Sequence, residues 1–130
     1  MTKETIQLTS KNIRYLIAIH RLGGKDRFIK CTDIARNLSV TRPSVHAMVN
    51  TLSELQLIEK PRYGKVSFTQ YGAQLSEYYV KCFNTVQKSF SCVLPQDMDT
   101  ESVVCAFISR IPYEKLDDVC RNIEEKNLFR

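Results

Sequence analysis

Thr41, Arg42, Pro43, Ser44, His46 and Ala47 lie together in one short stretch, and Lys60, Arg62 and Lys65 follow in another. Lysine and arginine neutralise phosphates. Small hydroxyl side chains donate to phosphates or base edges, and the alanine methyl suits apolar atoms of a base. The chemistry these residues support is contact with a polyanion, with no bond made or broken. The sequence holds no glycine-rich phosphate loop, no HExxH and no nucleophile elbow. His20 and His46 fall in different helical patterns, and Asp117-Asp118 and Glu124-Glu125 read as solvated helix faces. No residue is a candidate catalyst, so the sequence predicts a protein that is not an enzyme.

The pattern around the two clusters predicts how they are held. Residues 33–38 have a helical spacing, with Ile34, Ala35 and Leu38 on one side. Ser39 and Val40 form a turn. Thr41 is a suitable N-cap, and Pro43 sits in the first helical turn, where its missing N–H costs little. Val45, Met48, Val49, Leu52 and Leu55 then make an apolar stripe. Two helices joined in this way form a helix-turn-helix. The second leaves Arg42, Ser44, His46, Ala47 and Asn50 on its outer side. Residues 57–60 and 65–69 read as two short strands about the turn Pro61-Arg62-Tyr63-Gly64, which makes a basic wing.

The rest of the chain reads as helix. Residues 1–9 are polar and expected to fray. A helix over about residues 11–22 carries Ile13, Leu16 and Ile17, has His20 at the edge of its core stripe, and is stopped by Gly23-Gly24. Phe28 and Ile29 make a small strand able to pair with the wing. Thr69 caps a long helix over residues 70–93, whose apolar face is wider than a small winged helix requires. After Pro95, Asp99 or Thr100 caps a helix bearing Val103, Val104, Phe107, Ile108 and Ile111. Pro112 starts another, bearing Leu116, Val119, Cys120 and Ile123. The predicted fold is mainly α: a winged helix-turn-helix DNA-binding domain over residues 1–75, then a helical dimerisation region over residues 76–130.

Composition agrees with that division. The chain has 130 residues, is 43% hydrophobic and 25% charged, and carries a net charge of +5. Residues 1–75 hold twelve basic and five acidic side chains, and residues 76–130 hold seven and nine. The positive charge thus accompanies the wing, as expected where one region faces a polyanion. No apolar run approaches the roughly 20 residues of a membrane span, and the N-terminus lacks the pattern of a secretory signal. Cys31, Cys82, Cys92, Cys105 and Cys120 are odd in number and form no CxxC pair. They read as reduced, mostly buried thiols of a cytoplasmic protein. A redox sensor at Cys82, Cys92 or Cys105 is the less common alternative.

Three segments also carry a family resemblance: YLIAIHRL at residues 15–22, DIARNLSVTRPSVHAMVNTL at residues 33–52 and FTQYGAQL at residues 68–75. The chain resembles, in these and in the order of its elements, the short form of the diphtheria-toxin-repressor and manganese-transport-regulator family. The resemblance implies a dimeric, cytoplasmic, metal-responsive repressor of transcription. It implies DNA contacts at Thr41, Arg42, Pro43, Ser44, His46 and Ala47, with the wing on the backbone. The family's metal ligands do not carry over: their positions fall at Arg14, Ile17, Phe83, Gln87, Cys105, Ile108 and Ser109. The expectation is therefore a homodimeric regulator of double-stranded DNA with no metal at the usual site, no cofactor and an unknown effector. The alternative is a winged helix that contacts a protein partner.

Overall fold

A computed structural model describes residues 7–126. In chain order they form α1 (Ser10–Arg21), β1 (Ile29–Lys30), α2 (Cys31–Leu38), α3 (Arg42–Glu54), β2 (Lys65–Val66), α4 (Gln70–Ser91), α5 (Thr100–Ser109), a single 3-10 turn (Tyr113–Lys115) and α6 (Leu116–Glu125). The chain is mainly α, with a winged helix-turn-helix at its centre. The described residues divide into two compact units, 14–79 in one and 7–13 with 80–126 in the other.

In the unit of residues 14–79, the core is built from Leu16, Ile17, Ile19, Ile34, Val45, Leu52 and Leu57, none of which reaches solvent. These are the apolar positions of three helical stripes and of the segment leaving α3. Burying an aliphatic side chain of this size contributes about 1.5–3 kcal/mol. The helix expected from Asp33 begins two residues earlier, because Cys31 is buried and joins its apolar face. Ser39 ends α2 in the left-handed region at φ 56°. There the N–H of Val40 bonds the Ala35 carbonyl at 3.0 Å. That turn lets α3 start at once, capped by Thr41.

The wing is less regular than its sequence suggested. Ile29 pairs with Val66 and Lys30 with Lys65 in an antiparallel ladder, so the expected strand before α2 does join the wing. Residues 57–60 form no strand. They meet the returning arm at the Ile58–Phe68 bridge, through the Glu59 N–H bonded to the Ser67 carbonyl at 2.9 Å and through the Thr69 N–H bonded to the Leu57 carbonyl at 3.2 Å. Pro61 lacks an N–H, so it cannot extend that pairing toward the tip. Thr69 accepts from the Gly72 N–H at 2.9 Å and donates to the Gln56 carbonyl at 2.7 Å. It thereby caps α4 and ties its first turn to the wing's base.

In the other unit, Thr9 and Asn12 exchange two hydrogen bonds, 3.0 and 3.1 Å, that cap the start of α1. Leu8 is buried, and the Gln7 amide donates to the carbonyls of Ser109 and Ile111. Residues 7–9 are therefore anchored where fraying was expected; residues 1–6 lie outside the described residues. Asp99 accepts from the Ser102 N–H at 3.2 Å and caps α5. Phe83, Val86, Val104, Cys105 and Leu116 make a second apolar core, and Phe90 meets Phe107 edge-on with ring centroids 5.1 Å apart. Among the described residues no helix is long and apolar enough to cross a membrane.

Candidate nucleic-acid interface

Helix α3 displays its first turn. Thr41 Oγ1 accepts from the Ser44 N–H at 3.2 Å and donates to Ser44 Oγ at 2.8 Å. Pro43 has no N–H and the Ser44 and Val45 N–H groups donate to Thr41, so the first turn keeps the Arg42 N–H and the positive end of the helix dipole for a ligand. Val45 and Val49 are buried at 0% and 1% exposure and fix the rotation of the helix. Thr41, Arg42, Pro43, Ser44, His46 and Ala47 are consequently all exposed. The helical period accounts for this: the residues that point away from the Val45–Val49–Leu52 stripe are the ones the sequence analysis selected.

The wing tip is a two-residue turn. Arg62 and Lys65 exchange backbone hydrogen bonds of 3.1 and 2.9 Å, and Tyr63 and Gly64 between them have φ 51° and 70°. Positive φ at both central residues is the geometry of a type I′ hairpin. Glycine adopts it freely, whereas tyrosine does so at a cost of about 1–2 kcal/mol. Tyr63 is 99% exposed. Lys60, Arg62 and Lys65 are exposed as well.

Two concavities flank the wing, and Lys65 borders both. One, of about 240 Å³, is lined by Lys30, Thr32, Arg42, His46, Tyr63 and Lys65 and lies between α3 and the wing tip. It joins three of the predicted residues, Arg42, His46 and Lys65. The other, of about 300 Å³, lies on the outer side against Phe28 and joins Lys60, Arg62 and Lys65. Thr41, Pro43, Ser44 and Ala47 line neither; they stand on the convex face of α3. Lys30, Thr32 and Tyr63 were not selected from sequence. Lys30 is brought in by its pairing with Lys65, which only the β1–β2 register reveals. Tyr63 had a visible signal, a large aromatic residue in a turn that favours small ones. At the floor of the first concavity, burial pushes the Cys31 thiol above its ordinary value, against the opposing field of the Arg42 guanidinium.

Residues 7–66 match the family model of the iron dependent repressor, N-terminal DNA binding domain. No curated relative matches the sequence. Among solved structures, the chain is similar to the T. acidophilum protein IdeR, with a TM-score of 0.62 and 22% identity over 98% of this chain. It spans 56% of the length of that protein. It is also similar to a hypothetical protein from Sulfolobus solfataricus, with a TM-score of 0.60 and 21% identity, covering 91% of each chain. At these identities the structural likenesses establish the fold.

The iron in the family's description raises the question of donors. Iron(II) and manganese(II) are held by carboxylate and imidazole groups converging on one point. Of the positions where the resemblance puts the ligands, Ile17, Phe83 and Ile108 are apolar and buried, at 0%, 0% and 1% exposure. Arg14 is a cation, Cys105 is a fully buried thiol, and Gln87 and Ser109 offer neutral oxygens in place of carboxylate or imidazole. This donor set does not fit such an ion. Among the described residues no three His, Cys, Asp or Glu side chains gather where they could hold a metal.

Proposed function

We propose that this chain, an iron-dependent-repressor-like protein carrying that family's DNA-binding domain in residues 7–66, is a homodimeric repressor. It binds double-stranded DNA without a metal at the family's usual site. The observation that carries the reading is the joint exposure of Thr41, Arg42, Pro43, Ser44, His46 and Ala47 at the start of α3, beside a wing of lysine and arginine. In this reading α3 enters the major groove, whose base edges differ between base pairs. Arg42 and Ser44 contact phosphate or base edges, Thr41 and the helix N-terminus hold a phosphate, and Pro43, His46 and Ala47 face bases. Lys60, Arg62 and Lys65 neutralise phosphates of the flanking backbone.

The dimerisation role falls to residues 76–130. Helix α5 is apolar beyond what it buries: Val104, Cys105 and Ile108 are buried, while Val103 and Phe107, and Ile111 just past its end, are half-exposed. Val93 and Met98 are exposed nearby in sequence, at 77% and 47%. An apolar surface of this kind suits a second copy, and two copies present two recognition helices to a two-fold site. Free thiols at all five cysteines suit the cytoplasm.

The experiment is duplex binding followed by fluorescence anisotropy over a range of salt concentrations, with Arg42→Ala and Lys65→Ala beside the parent. Binding should weaken steeply with salt, and each substitution should lower the slope of log affinity against log salt by about 0.9. A chain that leaves duplex DNA unbound at low salt, yet retains a folded circular dichroism spectrum, would instead be a winged helix devoted to a protein partner.

A further inference from the structure

Three segments lie side by side at the wing. Ile29 pairs with Val66 and the Glu59 N–H bonds the Ser67 carbonyl, so the returning arm has a neighbour on each side. Ile29, Ile58 and Val66 are buried at 2%, 2% and 1% exposure. Strand alternation turns Phe28, Glu59 and Ser67 to the opposite, outer side. Farther along, Glu59 meets Ser67 and Arg62 meets Lys65, so Lys60 and Pro61 together oppose the single residue Val66. An extra residue of this kind is a bulge, which bends its strand and re-aims its side chains. Beside it opens the outer concavity of about 300 Å³, lined by Phe28, Glu59, Lys60, Arg62, Lys65 and Ser67.

The lining joins an aromatic face to cations. Phe28 is 62% exposed, a ring left in water at the wall of a hollow. Among the described residues no ion pair engages Lys60, Arg62 or Lys65, although Glu59 borders the same hollow. An aromatic ring can stack on the π face of a base while nearby lysine and arginine take its phosphates. We propose that this concavity binds a free nucleoside diphosphate with an amino-bearing base, the base on Phe28 and the diphosphate on Lys60, Arg62 and Lys65. The volume lies at the lower end of small-ligand sites, about 300–1,000 Å³, which suits one nucleotide and not a length of strand. Three cations against one carboxylate leave two positive charges, a better match to a diphosphate than to a monophosphate. Ionised Glu59 only accepts hydrogen bonds, which suits the exocyclic amino group of adenine.

A nucleotide there would occupy cations that the proposed function gives to the duplex backbone, so the test is made without DNA and does not depend on that reading. The intact chain is titrated by calorimetry with ADP, with pyrophosphate and with a short deoxyadenosine strand, in the absence of divalent cations. ADP should bind more tightly than pyrophosphate by about 5- to 150-fold, the range for one stacked base. Phe28→Leu keeps the apolar bulk without the π face and should bring ADP down to the affinity of pyrophosphate. Phe28→Tyr should keep the preference, and Lys60→Ala should weaken ADP and pyrophosphate alike. Equal affinities for ADP and pyrophosphate, or a preference that survives Phe28→Leu in a folded chain, would overturn the proposal and leave a cluster of cations only. Binding of the strand without binding of millimolar ADP would overturn it as well, because the occupant would then be a nucleic acid.

Discussion

Gly72 has no space for a side chain, because a Cβ there would overlap the carbonyl oxygen of Leu57. The first turn of α4 therefore lies directly on the segment that leaves α3 for the wing, with Thr69 bonded to Gln56 beside it. The wing's base, and with it the placing of Lys60 to Lys65, depends on a backbone-to-backbone approach that glycine alone permits. Gly72→Ala should cost about 2–3 kcal/mol, in the range of overpacked sites, and should weaken duplex binding in the fraction that remains folded. Urea unfolding checks the first part; an unchanged midpoint would mean that the approach can relax.

The cap of α3 serves both stability and the interface. Thr41→Ala removes the acceptor for the Ser44 N–H and should cost about 1 kcal/mol. Thr41→Ser keeps the acceptor and should restore most of that loss. Thermal unfolding of the three proteins makes the comparison. If alanine and serine behave alike, the cap contributes nothing measurable.

Tyr63 should separate stability from binding. Asparagine tolerates positive φ better than tyrosine, so Tyr63→Asn should stabilise the wing by up to about 1 kcal/mol. The same change removes a fully exposed aromatic ring beside Arg62 and Lys65 and should weaken binding to duplex DNA. Stability and affinity would then move in opposite directions. A substitution that stabilises the protein and leaves affinity intact would show that the ring has no part in the interface.

These residues also show where sequence reading succeeds and stops. The helix-turn-helix was legible because its signals are local: a threonine cap, a proline in the first turn and a stripe at helical spacing. Thr69 was legible as a cap for the same reason, whereas the close approach at Gly72 to the Leu57 carbonyl is a long-range contact with no local mark. The wing's second pairing was only partly so, since Ile29–Lys30 against Lys65–Val66 brings together residues about 36 positions apart. Lys30 and Thr32 entered the interface through that register and carry no local mark. Residues 57–60 were read as a strand from their β-favouring composition, yet Pro61 and the shortness of the arm leave a single bridge.

Alkaline pH should loosen the unit of residues 14–79. Burial raises the Cys31 thiol above 9.0, with Arg42 opposing, and raises the Tyr15 phenol above 10.0, with Arg14 opposing. The folded chain then keeps protons that the unfolded chain releases. Stability is fully present below pH 9.0 and falls as pH rises past it, with Tyr15 adding to the fall beyond 10.0. Urea midpoints measured across this range should show the decline, and Tyr15→Phe should remove its steeper part. A midpoint that stays level to pH 11 would contradict this account of both groups.

The proposal that most needs testing is a DNA-binding regulator that works without a metal at the positions where the resemblance puts the ligands. The most direct measurement is the affinity for duplex fragments selected from genomic DNA, first with a chelator and then with manganese(II) or iron(II) added. Tight, salt-sensitive binding that is the same in both conditions is the predicted result. Binding that appears only when metal is supplied would contradict the account, because Arg14, Ile17, Phe83 and Ile108 offer such an ion no donor.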